Sequence, residues 1–268
     1  MAATASNKAR LAKRVIEVLE YFDDVHREAT VMDFVRHLDR PQSSTSELLS
    51  NLVSLGLLHK DRESRCYSLA PRAALLGSAG QPPLLRDGRL NDLIDRLSAQ
   101  TGLGVGVFSM VGLNVQTCSW RAGTRLPMSI CTAELRRGRQ VHLTDSAIGW
   151  LLLSTVDHPK RHAIIRRLNA EAPPERQFNV ADMTAHVQRA RDCGHAAGTL
   201  GFSSGVDTVA MLLPGLPPRQ PLAIGLVYES SQQIETAVLI RNLAEAIARC
   251  EGSDMPMAGN VQPLFNAA

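Results

Sequence analysis

The stretch from Arg40 to Leu58 (Arg-Pro-Gln-Ser-Ser-Thr-Ser-Glu-Leu-Leu-Ser-Asn-Leu-Val-Ser-Leu-Gly-Leu-Leu) constrains the fold most, because it marks a helix at both ends. Pro41 disfavours helical backbone in the residue before it, so a preceding helix stops there. Ser43 or Ser44 is placed to accept from an orphan amide as N-cap, and Glu47 stands three residues after Ser44, the spacing of a capping box. Leu48, Leu49, Leu52, Val53 and Leu55 form one apolar stripe at helical spacing, and Gly56 suits the left-handed residue that closes a helix. Ser43, Ser46, Ser50 and Asn51 lie on the other side, all short and polar. A helix that is apolar on one side and lined with small hydrogen-bonding groups on the other suits a DNA major groove.

The flanking segments predict what surrounds this helix. Leu11, Val15, Val18, Leu19 and Phe22 recur at spacings of three and four, which predicts a first helix from Ala9 to Phe22. Lys8, Arg10, Lys13 and Arg14 load its start with positive charge. Thr30 reads as the N-cap of a short helix, Val31 to Leu38, with Val31, Phe34, Val35 and Leu38 inward. Asp39 to Gln42 is the turn into the helix described above. After Gly56, Leu57-Leu58 starts a strand and Cys66 to Leu69 returns, with the charged run His59 to Arg65 as the hairpin tip. Helix, short helix, turn, helix and basic hairpin is the order of a winged helix-turn-helix. The predicted base contacts are Gln42, Ser43, Ser44, Thr45, Ser46 and Ser50, with Arg40 and the wing residues Lys60, Arg62 and Arg65 on phosphate.

A chain of 268 residues is long for one domain and ordinary for two. Pro71 to Pro83 changes texture: a short helix near Ala73 to Leu76 gives way to Gly77, Gly80, Pro82 and Pro83. The expected division is a DNA-binding domain with linker over 1–80, a second domain over 81–252 and a loose tail over 253–268. A net charge of +3 permits nucleic-acid binding without arguing for it. The longest apolar run, Ala147 to Leu153, is far below membrane-spanning length, and the N-terminus lacks the apolar core of a signal peptide. Five scattered cysteines without a CxxC pair fit free thiols in a reducing compartment, so a cytoplasmic protein without membrane contact is expected.

In the second half, Leu90 to Gln100 reads as a helix, and Val105 to Val111 with Val115 to Trp120 as a hairpin across Gly112-Leu113-Asn114. Ala147 to Ser154 and Pro159 to Leu168 look helical, the latter with a basic face of Lys160, Arg161, Arg166 and Arg167. A helix lined by Val180, Met183, Val187 and Ala190 closes at Cys193-Gly194. Strand-like runs follow at His195 to Leu200, Val206 to Leu213 and Leu222 to Glu229, then an amphipathic helix from Gln233 to Cys250. Antiparallel strands flanked by helices make an α+β sensory-type domain.

The chemistry-bearing patterns do not assemble into an enzyme, and no catalytic, metal or cofactor residues are assigned. Gly201-Phe-Ser-Ser-Gly205 matches G-x-S-x-G, but all eight histidines lie at or before His195, so the order of partners required by a nucleophile elbow fails. The segment reads as a connection between two strands. Gly102-Leu-Gly-Val-Gly106 lacks the spacing of a phosphate-binding loop. His158 and His162 are one turn apart without a Glu or third ligand, and Asp23-Asp24 sits in a loop without a pocket.

The segment Val15-Ile-Glu-Val-Leu-Glu-Tyr-Phe22, then Pro41-Gln-Ser-Ser-Thr45, Leu48-Leu49, Leu52, Leu55-Gly-Leu57 and Tyr67-Ser-Leu69, resembles the DNA-binding domain of IclR-type transcriptional regulators. Gly138 to Ser154 and Arg191 to Ala196, followed by Gly205, resemble that family's GAF/PAS-like effector-binding domain, so the resemblance covers residues 8 to 250. It implies a DNA-binding regulator that works as a homodimer or dimer of dimers on a palindromic double-stranded operator. It also implies a small-molecule effector, an organic acid held by the helix start at Ala147 and Ile148 and by Gly198 or Thr199, Thr208, Gly225 and Val227. Relatives carry an acid at the Gly198/Thr199 position and serines at the Gly225 and Val227 positions, so the pocket here is expected to be more apolar and roomier, suited to a larger or aromatic carboxylate. A second departure is Glu47, where the family commonly has arginine. Such an acid repels phosphate unless it caps the helix or accepts from a cytosine amino group. The rival readings are a hydrolase-like or isomerase-like enzyme with a fused helix-turn-helix, and a winged helix used for protein contacts.

Overall fold

The computed structural model describes residues 2–23, 25–125, 135, 137–217 and 219–252, and the chain divides between Gln81 and Pro82 into two units. Asp24, Cys131 and the tail expected over 253–268 lie outside the described residues. Cys66, Cys118, Cys193 and Cys250 are free thiols. Among the described residues, no helix is long and apolar enough to cross a membrane.

The first unit contains α1 (Ala2–Glu20), α2 (Val31–Leu38), α3 (Gln42–Ser54), the hairpin β1 (Leu58–Lys60) and β2 (Tyr67–Leu69), and the short α4 (Pro71–Leu75). Local chemistry sets these ends. Thr30 caps α2 in a reciprocal box: its hydroxyl accepts from the Asp33 amide, while its own amide donates to the Asp33 carboxylate at 2.8 Å. Helix α3 closes as a Schellman motif. Gly56 is left-handed at φ +70°, its N–H donates to Val53 at 2.9 Å, and Leu57 N–H donates to Leu52 at 2.9 Å. Val18, Phe22, Phe34, Leu48, Leu49, Leu52, Leu58 and Tyr67 bury the shared core. Ala29 and Tyr67 exchange backbone hydrogen bonds at 2.9 and 2.8 Å, which ties the α1–α2 connection to the hairpin.

Three expectations in this unit need correction. Helix α1 begins at Ala2 rather than Ala9, and it ends at Glu20 with Phe22 still buried beyond it. Helix α3 starts at Gln42 with Pro41 as N-cap, so Ser43 and Ser44 already lie inside the first turn and the Ser44–Glu47 capping box does not form. The ring of Pro41 sets φ at −56°, a value compatible with helix entry, and this moves the start ahead of the serines. Leu55 is the C-cap and 54% exposed, because the chain turns at Gly56 before the stripe completes another turn.

The second unit is a six-stranded antiparallel sheet with helices on both faces. Its elements are α5 (Pro83–Arg86), α6 (Arg89–Thr101), β3 (Gly104–Val111), β4 (Asn114–Arg121), β5 (Gln140–His142), α7 (Ala147–Ser154), α8 (His158–Glu171), α9 (Val180–Cys193), β6 (His195–Thr199), β7 (Val206–Leu212), β8 (Leu222–Glu229) and α10 (Thr236–Gly252). The strand order is β5-β4-β3-β8-β7-β6. The edge strand β5 was not expected from the sequence; three residues carry too little alternation to signal a strand. Leu93, Leu97, Val105, Val107, Ile224, Leu226, Leu243 and Ile247 form the core between one sheet face and α6 with α10. The other face carries Phe108, Val115, Ala196, Ala210, Ala223 and Val227 beneath α7, α8 and α9.

Side-chain size explains how α7 approaches that second face. The register places Gly106, Gly225, Ala210 and Ala196 in one row across β3, β8, β7 and β6. The row is nearly flat, and α7 packs against these four strands. Arg161 was expected on the basic face of α8 but is buried, donating to the Ser154 carbonyl at 3.5 Å and to Gln188 Oε1 at 3.3 Å. It thereby meets the C-terminal end of α7, where a cation is favoured.

Two predictions follow from these contacts. A Cβ built on Gly149 would stand 1.9 Å from the Leu143 carbonyl oxygen, which is backbone and has no easy retreat. Gly149→Ala therefore destabilises the second unit by about 2 kcal/mol, although the same change in an open helix stabilises. Unfolding followed by tryptophan fluorescence reads this unit, since Trp120 and Trp150 both lie in it. In the first unit, hydrogen bonds from the Thr30 hydroxyl and amide hold the Asp33 carboxyl below its ordinary value. A lowered folded value stabilises the fold above the ordinary carboxylate range near about pH 4, and that contribution is lost as pH falls through the folded value. Thr30→Ala thus costs about 1 kcal/mol at neutral pH. Amide exchange in α2 shows the difference from the unsubstituted chain shrinking as the solution is acidified.

Candidate nucleic-acid interface and effector face

The outward side of α3 is polar and mostly free of internal bonds. Gln42, Ser43, Glu47, Ser50, Asn51 and Ser54 are exposed, and Ser46 is half-buried. At 100° per residue, Ser43, Glu47, Ser50 and Ser54 fall within an arc of about 60°, opposite buried Leu48, Leu49 and Leu52. Thr45 corrects the expected contact set. It is 0% exposed, packed with the leucines on the inner side, and its hydroxyl has no partner among the described residues. Ser44 is half committed: its hydroxyl donates to the Pro41 carbonyl at 3.1 Å, and its carbonyl accepts from Arg14 at 3.3 Å.

The wing is a built hairpin. The Asp61 carboxylate accepts from the Glu63 amide at 2.9 Å and from the Ser64 hydroxyl at 2.8 Å, and these bonds hold its carboxyl below the usual range. Arg65 takes a left-handed φ of +58°, and Asp61 N–H closes the tip on the Cys66 carbonyl at 2.9 Å. Arg40, Lys60, Arg62 and Arg65 are all exposed. Lys60 lies over the Tyr67 ring at 5.2 Å, a cation–π contact that restrains its ammonium group. Two braces were not legible in the sequence. Arg14, expected as part of a basic arm, reaches the Ser44 carbonyl, and Arg72 of α4 donates to the Leu55 carbonyl at 2.7 Å at the far end of the same helix.

In the second unit, of the effector residues expected from the family, Ala147 and Ile148 open α7, and the strand residues lie on the sheet face beneath it, with Thr199 as the exception. Gly198, Thr208 and Val227 are register partners, and Gly225 lies close enough to Thr208 that a Cβ there would meet its hydroxyl at 2.8 Å. Gly198 faces Ala147 and Trp150, while Thr199, one residue on, is exposed, so of that pair Gly198 is the inward one. Ala147, Ile148, Thr208 and Val227 are 0% exposed. The Thr208 hydroxyl donates to the Leu226 carbonyl at 3.0 Å. In this conformation two aromatic rings occupy the space beside these glycines. The Phe108 ring lies directly over Gly106, and Phe202 packs on Phe108 with centroids 5.9 Å apart.

Two groups on this face were missed. A bulge in β4 lets Thr117 pair with Phe108 while Trp120 pairs with Gly106, so both point to the same side of the sheet. Thr117 Oγ1 and Trp120 Nε1 are buried with no partner among the described residues. Nothing in the sequence signalled the bulge, which depends on how two strands align.

Other candidates resolve more simply. Gly201 to Gly205 connects β6 to β7, and a strand follows Ser203 where a nucleophile elbow needs a helix. The His158 and His162 rings stack at 6.5 Å, and no metal-binding group of side chains occurs among the described residues. On the opposite sheet face a cavity of about 300 Å³ is lined by Leu84, Leu93, Leu213, Ile247 and Cys250, with Arg89 at its side.

The buried hydroxyl of Thr45 generates a prediction. Thr45→Val keeps the shape and removes an unpartnered polar group, so it stabilises the first unit by about 1 kcal/mol. Amide exchange of α3 measures the gain, and the same variant selects DNA of unchanged sequence because residue 45 does not face outward.

Residues 11–62 match the IclR helix-turn-helix domain. Among solved structures, the chain is similar to an IclR homolog from Microbacterium hydrocarbonoxydans complexed with 4-hydroxybenzoate, at 16% identity and TM-score 0.59, over 91% of this chain and 99% of that one. It is similar also to an IclR transcriptional regulator from Alicyclobacillus acidocaldarius, at 20% identity and TM-score 0.58, over 91% and 97%. A third is the Thermotoga maritima IclR, at 16% identity and TM-score 0.56, over 90% and 98%. No curated protein matches the chain. Residues 11–62 are thus an IclR helix-turn-helix domain, carried in a chain with the two-part fold of the IclR transcriptional regulators.

Proposed function

We propose that this protein is a transcriptional regulator that binds double-stranded DNA through α3 and the wing and responds to a small organic acid in its second unit. The observation that carries the reading is the paired surface of the first unit. Ser43, Ser50 and Asn51 face outward on α3, and the exposed cations Arg40, Lys60, Arg62 and Arg65 stand on its turn and wing. Cations suit phosphate, while short polar side chains suit base edges. A single recognition helix reads few base pairs, so the protein acts as a homodimer or dimer of dimers on an operator of symmetric half-sites.

The effector reading rests on the second unit. Small residues at Gly106, Gly198 and Gly225, the rings of Phe108, Phe202 and Trp120, and the partnerless Thr117 and Trp120 donors offer apolar walls with few polar groups, the usual composition of a ligand site. These features favour an aromatic or larger carboxylate over a small keto acid. Binding separates the Phe108–Phe202 pair, and an effector shifts DNA affinity only as far as it binds the two states of the protein differently.

The test is binding to DNA flanking the protein's own coding region, across a salt series and with added acids. The expected outcome is an affinity that falls steeply with salt, with Arg62→Ala and Arg65→Ala each flattening the log–log slope by about 1. 4-Hydroxybenzoate is expected to change the affinity more than pyruvate or glyoxylate. Affinity independent of salt overturns DNA binding, and tight glyoxylate or pyruvate binding by calorimetry overturns the effector class.

A further inference from the structure

Glu47 is the only charged residue in α3, and its surroundings remove the bland explanations for it. The helix from Gln42 to Ser54 contains no lysine or arginine. A carboxylate near a helix start commonly serves as the far arm of a capping box, but here Pro41 is the N-cap and makes no side-chain cap bond. The Glu47 carboxylate forms no ion pair or hydrogen bond among the described residues. Arg14, the cation reaching this part of α3, donates instead to the Ser44 carbonyl at 3.3 Å. Nor is Glu47 on the flank: it is exposed, in the same outward arc as Ser43, Ser50 and Ser54.

A carboxylate at that position repels phosphate, so a helix placed with this arc toward the backbone would bind DNA poorly. Placed toward the base edges, the same carboxylate is an acceptor with four lone-pair directions and no donor. The major-groove edge of cytosine offers an amino donor without a neighbouring ring acceptor. Adenine sets N7 beside its amino group, and guanine and thymine present acceptors. We infer that Glu47 is a specificity-determining residue that selects cytosine in each half-site by accepting a hydrogen bond from its N4 amino group. The flanking cations Arg40, Arg62 and Arg65 hold the backbone while Glu47 excludes bases that present acceptors. This inference rests on the regulator reading above.

The experiment is selection from randomised duplex DNA with the full chain and with Glu47→Gln and Glu47→Ala, followed by titration of the selected duplexes. Glu47→Gln is nearly isosteric, and amide exchange of α3 checks that each variant keeps the fold. The unsubstituted chain is expected to enrich cytosine at one fixed position in each half-site, and replacing that base weakens binding about 10-fold or more. Glu47→Ala loses the preference at that position alone, and Glu47→Gln moves it toward adenine, whose N6/N7 edge matches a side-chain amide. If all three proteins select the same sequence, the inference falls while DNA binding stands. If the folded, unsubstituted chain enriches no sequence, the regulator reading falls and takes the inference with it.

Discussion

The first unit depends on one side of α3 being buried so that the other side is held still. Leu48, Leu49 and Leu52 are 5%, 0% and 1% exposed, and each contributes about 1.5–3 kcal/mol by leaving water. No single polar contact in the unit approaches that sum. Phe34 from α2, Val18 from α1 and Tyr67 from the hairpin close the same core. The outward serines, Asn51 and Glu47 contribute little to this packing. Their positions are consequences of it, since a rotation of α3 by one residue would bury Ser50 and expose Leu48.

The ends of that helix are secured by different means. At its start, Pro41 substitutes fixed backbone geometry for a side-chain cap, which leaves the serines uncommitted as caps. At its end, the left-handed Gly56 and the guanidinium of Arg72 together satisfy carbonyls that a helix otherwise leaves to water. The wing is built likewise from local bonds to Asp61. The second unit follows another rule: a row of glycine and alanine lets α7 lie against the sheet, and where β3 carries Phe108 beside Gly106 its ring turns back over the gap.

Much of this was legible in the residues. Helix α2 was bounded correctly at Val31 and Leu38 because Thr30 announces its start, and strand β8 was bounded correctly at Leu222 and Glu229. The errors cluster where two signals compete locally. Ser43 and Ser44 looked like caps, yet the proline before them had already started the helix. Thr45, midway in a polar run, looked like a surface residue. Its place on the wheel, 100° from each neighbour, turns it inward with the leucines. Arg161 read as part of a basic face because sequence spacing does not reveal which carbonyl a long side chain reaches.

By itself, the sequence determined the elements, the two-part order and the resemblance to a regulator family, because periodicity, caps and left-handed glycines act over a few residues. Only the tertiary structure decided which polar groups are free. Arg14 is drawn to Ser44, Thr45 is buried, and Thr117 and Trp120 are brought to one side by a bulge, all through alignments between distant segments. Glu47 belongs to both accounts. The sequence showed an acid on the recognition helix, and packing left it outward, uncapped and unpaired, because the energy that orients α3 comes from the leucines on its other side.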